Sequence, residues 1–360
     1  MTETDSTLPR LGVIEGFYGP AWRWEEREAL AATLADHGYR FWHYAPKLDA
    51  SLREGWREPW PAGQAEAMAA FAGRCRRLGL AFGVGLAPIG FDPAEAGTGH
   101  ARLAERLGEL DAVGIDELVV SFDDVADATP DPAHRQAAVT EWIAARTRAR
   151  QVLVCPTYYS DDPLLDRLFG ARPPDYLAAL GRALDPGIGV YWAGEEICPR
   201  EISPGHLEAV AERLRRRPWL WDNYPVNDGT IACEHLHLRP FTGRPATLAP
   251  QLSAHAINPA LQPTLSALPA LTLPWRYRAG EAFAYGRAFR DAARAVLGDS
   301  LAAALAEDLT LLEDAGRQRL GAQATGLRAR YAAFDHPAAR EVVRWLDGGY
   351  RPQQAAPGTA

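Results

Sequence analysis

Short runs of apolar, β-branched and aromatic residues recur along the first three quarters of the chain. They start near residues 11, 40, 80, 117, 151, 188, 218 and 253. The stretches between them show helical periodicity, as at Leu103, Leu107 and Leu110 ahead of Gly114, a residue type that ends helices. Eight alternating strand and helix patterns predict an α/β protein in which residues 11–275 form a closed (β/α)8 TIM barrel.

The eighth unit is the least regular of the series. Pro269 falls inside residues 264–273, where its helix is expected. Because proline removes a backbone donor and clashes with the preceding turn, we expect this helix to be kinked or short.

Only helical patterns follow the predicted barrel. Apolar positions such as Tyr285 and Phe289 recur at helical spacing and predict a small C-terminal helical appendage over residues 276–348. Its apolar faces must pack against the barrel or against a second subunit, so we expect that these helices could form a homodimer. Residues 1–10 are expected to be flexible, and residues 349–360, rich in Pro, Gln, Ala and Gly, are expected to be a disordered tail.

Composition and charge narrow the class of protein. With 47% hydrophobic residues and a net charge of −8, the chain is folded and lacks the basic surface that a nucleic acid or an anionic membrane requires. The N-terminus shows no signal peptide and no apolar stretch reaches membrane-spanning length, so we expect a cytoplasmic protein. The four cysteines form no CxxC, which is typical of reduced thiols. We therefore predict neither a cofactor nor a bound metal.

Lysine is almost absent from this sequence. Of 38 basic residues, Lys47 is the only lysine, which indicates a bias that replaces lysine with arginine wherever charge alone matters. Lys47 lies at the end of the second predicted strand, where a random position would fall only about once in eighteen. A compact ammonium can bind a hydroxyl or lie beside a carboxylate where an arginine fork is too wide, so Lys47 is a candidate site residue.

Polar and aromatic residues are concentrated at the ends of the apolar runs. In a βα barrel the active site lies at the carboxyl ends of the strands, so these residues are expected to share one mouth. The main members of this group are Glu15, Gly16, Tyr18, Lys47, Asp123, Asp124, Cys155, Tyr159, Tyr191, Trp192, Trp221, Asp222, Asn223, Asp228 and Asn258. Aromatic faces bind the C–H surfaces of a sugar and amides bind its hydroxyls, so the pattern predicts a sugar-sized pocket.

Two adjacent carboxylates, Asp123 and Asp124, are the strongest single feature. Neighbouring side chains on a regular strand point to opposite faces, so both can enter one site only where the strand ends. Their mutual repulsion would raise the proton affinity of the pair and keep one carboxyl protonated as a general acid. The alternative is a solvated pair that caps the next helix. The surrounding strand-end residues favour the catalytic interpretation.

A His-Leu-His segment offers a different hypothesis. His235 and His237 have the alternate spacing of two metal ligands, but they follow the seventh run without further ligands at a strand end. We interpret them as part of a polar surface loop, and a metal-dependent amidohydrolase is the less favoured alternative.

Seven short segments, taken in order, form a larger pattern. They are GVIEGFYG at 12–19, YAPK at 44–47, WREP at 56–59, FDDV at 122–125, CPT at 155–157 with Tyr159, WDN at 221–223 with ND at 227–228, and NP at 258–259. Together they resemble glycoside hydrolase family 84, the O-GlcNAcases and related β-N-acetylglucosaminidases. The segments extend across nearly the whole predicted barrel, so the resemblance is specific. It implies a GlcNAc-containing glycan or glycoprotein as the partner.

The resemblance implies a retaining exo-β-N-acetylglucosaminidase that removes terminal β-linked GlcNAc by substrate-assisted catalysis. In that mechanism the 2-acetamido carbonyl oxygen of the substrate attacks the anomeric carbon and forms an oxazoline. By motif position, Asp123 would orient the acetamido group, Asp124 would be the general acid and base, and Tyr159 would support the oxazoline. The other matches would bind substrate: Gly16, Lys47, Asn223, Asp228 and Asn258 at the sugar hydroxyls, and Tyr18, Cys155 and Trp221 around the acetamido group.

Two positions depart from the family pattern. Tyr158 stands where an acidic residue is usual, and Ala193 stands where a threonine is common near the acyl pocket. These departures affect the expected detail of the pocket and leave the core chemistry intact. A non-catalytic glycan-binding barrel that keeps the pocket is the alternative function, and an activity assay separates the two.

Overall fold

Eight parallel strands form a closed barrel in the computed structural model, which describes residues 8–95, 97–126 and 129–351. The strands pair in chain order, and the last pairs with the first. Their bounds are β1 Arg10–Glu15, β2 Tyr39–Tyr44, β3 Ala81–Leu86, β4 Glu117–Ser121, β5 Gln151–Cys155, β6 Gly189–Trp192, β7 Trp219–Asp222 and β8 Ala254–Ile257. Each strand begins within one residue of its apolar run, so the predicted (β/α)8 TIM barrel is confirmed.

Helices connect the strands and surround the barrel. Their bounds are α1 Trp24–Asp36, α2 Gln64–Arg77, α3 Thr98–Val113, α4 Pro132–Ala144, α5 Pro163–Phe169, α6 Tyr176–Ala183, α7 Pro204–Leu214 and α8 Pro263–Ala279. Helix α3 shows how the pattern works, because Leu103, Leu107 and Leu110 are buried on one face. It ends at Gly114, whose φ of 84° favours glycine.

Helix α8 corrects one expectation. It runs for 17 residues with Pro269 and Pro274 inside it, so the helix is not short, and the expected kink stays a prediction. Pro274 has no N–H for the carbonyl of Ala270, and the Tyr39 hydroxyl donates to that carbonyl instead, at 2.9 Å. Most residues of α8 are buried, so tertiary packing offsets the helix-breaking tendency of the prolines.

The C-terminal part of the chain is helical, as predicted. Helix α9 spans Tyr285–Leu309 with a break at Gly298, and a π-helical turn, α10 and α11 follow at Thr310–Ala315, Gln323–Ala332 and Pro337–Leu346. Its apolar side chains belong to the same buried core as those of the barrel. The faces that suggested a homodimer therefore pack against this chain itself, and the homodimer stays a prediction. Every helix in the described part of the chain is too short or too polar to cross a bilayer.

The two chain ends are described only in part. Residues 1–7 of the predicted flexible N-terminus and residues 352–360 of the predicted tail lie outside the described residues. Tyr350, which the prediction placed in the tail, is buried, and its ring centre lies 4.6 Å from the guanidinium carbon of Arg344.

Candidate active site

A pocket at the carboxyl ends of the strands collects the residues selected from the sequence. Its lining includes Gly16, Tyr18, Lys47, Asp123, Asp124, Cys155, Tyr159, Trp221, Asn223, Asp228 and Asn258. These residues end or follow six different strands, and such strand ends meet on one face of a parallel barrel. The structure therefore brings the eleven predicted catalytic and substrate-binding residues into one pocket. Their roles toward a substrate stay predictions. Four other residues expected at the same mouth do not line it: Glu15, Tyr191, Trp192 and Asp222.

Asp123 and Asp124 follow β4, and both enter the pocket because the chain turns there. Asp124 has a φ of 60°, in the left-handed region that aspartate tolerates better than most residues with a side chain. The strand alternation thus breaks between the two carboxylates, as the sequence predicts. Neither residue caps α4, because Asp131 is its N-cap and accepts from the His134 N–H at 3.3 Å. The helix-capping alternative was therefore wrong.

The Asp123 carboxylate has one paired and one open oxygen. Its Oδ2 pairs with the Lys47 ammonium, and both side chains are buried. Its Oδ1 is buried and has no hydrogen-bond partner among the described residues, although Asp123 lines the pocket. Leaving a buried carboxylate oxygen unpaired costs free energy, so this oxygen is suited to accept a hydrogen bond from a bound ligand.

Two phenols hold the Asp124 carboxylate. Tyr18 OH donates to Oδ2 at 3.0 Å, and Tyr159 OH donates to Oδ1 at 3.1 Å. Burial raises the pKa of both phenols and the Asp124 charge adds to the shift, so both stay protonated donors. Lys47 Nζ lies 3.4 Å from Oδ2. Both oxygens of Asp124 are therefore fixed in position at the edge of the pocket.

Lys47 lies between the two carboxylates and an indole ring. Its side chain is buried, and Nζ is 5.3 Å from the centre of the Trp221 ring. Burial lowers the pKa of the ammonium, and the Asp124 carboxylate opposes that shift. A guanidinium is planar and wider, so it would displace at least one of these neighbours.

A chain of amide hydrogen bonds forms a second polar part of the pocket. Asn258 Oδ1 accepts from the Gly16 N–H at 3.1 Å, and Asn258 Nδ2 donates to Asn223 Oδ1 at 3.0 Å. The same Asn223 oxygen accepts from Trp221 Nε1 at 2.9 Å. A Cβ at Gly16 would lie 2.2 Å from the Trp221 ring, so only glycine allows this close approach.

Asp228 supplies a further carboxylate on the pocket wall. Its Oδ2 accepts from the Tyr18 N–H at 2.6 Å. Burial raises the pKa of its carboxyl to about 6, although the Tyr18 N–H bond opposes the shift. At neutral pH Asp228 is therefore mostly charged and can accept a hydrogen bond from a ligand hydroxyl.

Thr157 anchors the turn that carries the aspartate pair. Its hydroxyl lies 3.1 Å from Phe122 O and 3.2 Å from Val125 O, the carbonyls on either side of the two aspartates. Gln136 Nε2 donates to the same hydroxyl oxygen at 2.9 Å. The CPT segment therefore supports the neighbouring FDDV segment.

A buried ion pair joins β7 to Arg244 in the loop between β7 and β8, and Arg244 also contacts the loop after β6. Asp222 points away from the pocket and accepts two hydrogen bonds from Arg244, at 2.6 and 2.8 Å. His255 Nε2 lies 3.0 Å from the same carboxylate. Arg244 also donates to Pro199 O at 2.9 Å and to Arg200 O at 2.7 Å. Burial raises the pKa of Asp222, but Arg244 outweighs it and holds this pKa at about 2.

Removing the cation of this pair should destabilise the fold. We expect Arg244→Met to lower the free energy of unfolding by about 3 kcal/mol, because Asp222 would stay buried without its partner. Urea unfolding at pH 7 measures the change. Arg328→Met is the control, since its pair with Asp347 is exposed and its loss should cost less than about 1 kcal/mol. Equal losses in the two variants would contradict this account of Arg244.

The pocket also contains residues that the sequence analysis missed. Ile197 and Cys198 follow β6, and Val226 follows β7. Arg53 is buried nearby and donates to Asp123 O at 3.4 Å. All of them lie several residues past a strand end, in loops whose path a sequence pattern does not determine. They would have been among the candidate residues if more positions after each apolar run had been considered.

The two departures from the family pattern do not contribute to the described pocket lining. Tyr158 OH donates to Gly170 O at 2.7 Å. Ala193 is fully buried, and its N–H donates to Tyr159 O at 2.7 Å. Tyr158 and Ala193 therefore lie behind the residues that line the pocket.

The two histidines of the His-Leu-His segment contact backbone carbonyls. His235 Nδ1 lies 2.6 Å from Glu313 O, and His237 Nδ1 lies 3.0 Å from Pro225 O. Within residues 8–95, 97–126 and 129–351, no group of three His, Cys, Asp or Glu side chains is arranged to hold a metal ion. The segment is therefore part of a loop that packs against other parts of the chain through its backbone and histidine contacts.

Comparisons with known proteins agree with this architecture. A β-N-acetylglucosaminidase family model matches residues 11–310. Protein O-GlcNAcases of Mus musculus and Rattus norvegicus are each 30% identical over 262 residues, which is 69% of this chain and 28% of each relative. The chain thus spans less than a third of the length of these relatives. A solved structure of a Thermobaculum terrenum O-GlcNAc hydrolase mutant matches with a TM-score of 0.78 and 24% identity, over 95% of this chain and 81% of that one.

Paired carboxylates and a polar, aromatic pocket at the carboxyl face of a (β/α)8 barrel define the class of barrel glycoside hydrolases. The chain belongs to the β-N-acetylglucosaminidase family, glycoside hydrolase family 84. The resemblance carried by the seven sequence segments is therefore confirmed.

Proposed function

We propose that this chain is a retaining exo-β-N-acetylglucosaminidase that hydrolyses terminal β-linked GlcNAc by substrate-assisted catalysis. The observation that carries the proposal is the buried Oδ1 of Asp123, which has no hydrogen-bond partner among the described residues. It lies beside Asp124, which accepts hydrogen bonds from two phenols. The unpaired oxygen supports a role for Asp123 in accepting a hydrogen bond from a ligand, and the position of Asp124 beside it supports a role in proton exchange. Family membership supports the same class of reaction.

In the first step the acetamido carbonyl oxygen of the substrate attacks its own anomeric carbon. Asp123 Oδ1 accepts the acetamido N–H, which orients the carbonyl and makes it more nucleophilic. Asp124, protonated in the complex, gives its proton to the glycosidic oxygen as the bond to the anomeric carbon breaks. The products are the free alcohol and an oxazoline protonated on nitrogen, whose N–H stays hydrogen-bonded to Asp123. Because the nucleophile belongs to the substrate, proximity supplies much of the rate.

In the second step Asp124, now a carboxylate, removes a proton from water. The resulting hydroxide bonds to the anomeric carbon and the oxazoline ring opens, so the sugar keeps its β configuration and Asp124 regains its proton. Tyr159 donates a hydrogen bond to Asp124 in the free site. In the proposed mechanism it supports the oxazoline.

The rest of the pocket accounts for recognition of the sugar. The sugar hydroxyls are bound by charged and amide groups of the pocket. These are the side chains of Asp228, Asn223, Asn258 and Lys47 and the backbone of Gly16. Tyr18, Cys155 and Trp221 surround the acetamido methyl group, since they give aromatic and sulfur surface.

The proposed partner is a glycan or glycoprotein that carries terminal GlcNAc. The names of the two rodent relatives, protein O-GlcNAcases, support a protein-linked sugar. A cytoplasmic location and a homodimer are further predictions that come from the sequence alone.

Hydrolysis of 4-nitrophenyl β-N-acetylglucosaminide by the purified chain tests the proposed function. We expect 4-nitrophenol from the β anomer, none from the α anomer, and the same rate after exhaustive chelation. Binding of GlcNAc without hydrolysis would indicate the glycan-binding barrel. Loss of activity on chelation would indicate a metal-dependent enzyme.

Lys47→Arg separates the shape of the cation from its charge. We expect kcat/KM on the same aryl substrate to fall about tenfold, because the wider guanidinium displaces Asp123 or Trp221. Lys47→Met, which removes the charge as well, should lose at least as much. Wild-type activity in Lys47→Arg would show that the position needs only a positive charge.

A further inference from the structure

The loop that carries Asp228 is long and has little structure of its own. It covers residues 223–253 between β7 and β8, and its regular structure consists of the 3₁₀ segments Ala232–Glu234 and Ala246–Gln251. Loops of this length are mobile unless they are tied down. The 2.6 Å hydrogen bond between Asp228 and the Tyr18 N–H requires a fixed backbone. The loop therefore needs support from elsewhere in the chain.

Part of that support comes from residues beyond the part that the family model matches. The Leu236 N–H donates to Leu312 O at 3.1 Å, and the Leu238 N–H donates to the Glu313 carboxylate at 3.2 Å. His235 Nδ1 contacts Glu313 O from the same side of the loop. His235, Leu236 and Leu238 thus bind the π-helical turn, and the Leu236 side chain is fully buried.

Two side chains of the C-terminal part of the chain hold the 3₁₀ segment Ala232–Glu234, which precedes the His-Leu-His segment. Arg317 Nη2 lies 2.6 Å from Glu234 Oε1, and Trp345 Nε1 donates to Cys233 O at 3.0 Å. Trp345 is buried and the Arg317 side chain is mostly buried. Partly shielded contacts of this kind restrict the loop more than exposed ones do.

Residues on both sides of Asp228 connect it to this supported region. Asn227 is fully buried, and its Nδ2 donates to His235 O at 2.9 Å. On the other side, the Cys233 N–H donates to Gly229 O at 2.9 Å. The backbone at Asp228 is therefore fixed by the same residues that the C-terminal segment holds.

We propose that Arg317 and Trp345 are positioning residues of the active site, which act through the β7–β8 loop to hold Asp228 against the bound sugar. The inference rests on the proposed glycosidase function. Neither residue lines the pocket, so both are positioning residues. Loss of their contacts weakens sugar binding and leaves the proton transfer at Asp124 unchanged.

The double variant Arg317→Met/Trp345→Phe removes both contacts and keeps most of the packing. On 4-nitrophenyl β-N-acetylglucosaminide we expect KM to rise about tenfold while kcat stays within about twofold of wild type. Arg330→Met/Tyr331→Phe is the matched control, since it removes an arginine pair and an aromatic donor that both bind Asp308 within the C-terminal segment. The control should leave KM unchanged.

A double-mutant cycle with Asp228→Asn shows whether the effect passes through Asp228. In the Asp228→Asn background, the Arg317→Met/Trp345→Phe change should raise KM by less than about twofold, because the residue that it positions is already lost. A full tenfold rise in that background, or an equal rise in the control, would overturn the proposal and leave a structural role. If the double variant does not fold, Trp345→Phe alone should raise KM about threefold.

Failure of the proposed function would be visible separately. In that case the wild-type chain would not hydrolyse the aryl substrate. The same variants would then be compared by their affinity for free GlcNAc, followed by tryptophan fluorescence. A tenfold loss in the Arg317→Met/Trp345→Phe variant alone would support the positioning role, and equal affinities would overturn it.

Discussion

Asp124→Asn should lower kcat/KM by about 10³-fold on a β-N-acetylglucosaminide with a poor leaving group such as methanol. An asparagine cannot donate a proton to the glycosidic oxygen, and that oxygen must otherwise leave as an unstable alkoxide. On a substrate with a 2,4-dinitrophenyl leaving group the loss should be no more than about tenfold, because this group leaves without a proton. The ratio of the two losses is the quantity to measure.

The control for this experiment is an aspartate on the same connection outside the pocket. Asp131 caps α4, and asparagine is an equally good N-cap, so Asp131→Asn should keep wild-type rates on both substrates. Equal losses on the two leaving groups in Asp124→Asn would remove this residue from the role of general acid.

Asp123→Asn should lower kcat/KM by about 10²-fold or more on both substrates alike. The variant weakens the acceptor of the acetamido N–H and leaves Asp124 as the remaining carboxylate partner of Lys47. Both effects act on the nucleophile, which is needed whatever the leaving group is. The two aspartates are therefore expected to give different patterns of loss, although they are neighbours in the chain.

Comparing the two variants also tests which aspartate donates the proton and which one orients the acetamido group. A loss in Asp123→Asn that grows as the leaving group becomes poorer would assign proton donation to Asp123. The thermal unfolding midpoint of each variant should be measured alongside, because Asp123 is buried and its charge is paired.

Much of the barrel and its pocket follows from local patterns in the sequence. Apolar runs mark the strands because each strand of a parallel barrel is buried on both faces. The strand ends then converge by topology, which is why Asp124 and Asn258 could be placed together from positions 134 residues apart. The composition anomaly at Lys47 pointed to the same pocket by an independent route.

The features that sequence analysis missed depend on contacts between distant segments. Pro274 of α8 is tolerated because Tyr39, on β2, donates to the Ala270 carbonyl that the proline leaves without its helical partner. Ile197 and Cys198 reach the pocket in the loop after β6, and Arg244 donates a hydrogen bond to a backbone carbonyl of that loop. Local periodicity contains no information on such pairings.

The central claim is that the substrate supplies its own nucleophile, and replacing the acetyl group with its mono-, di- and trifluoro analogues tests it most directly. Fluorine withdraws electrons from the acetamido carbonyl oxygen and makes it a weaker nucleophile, while the leaving group stays the same. We therefore expect kcat/KM for the aryl substrates to fall with each added fluorine. Rates that do not change along the series would show that the acetamido oxygen is not the nucleophile.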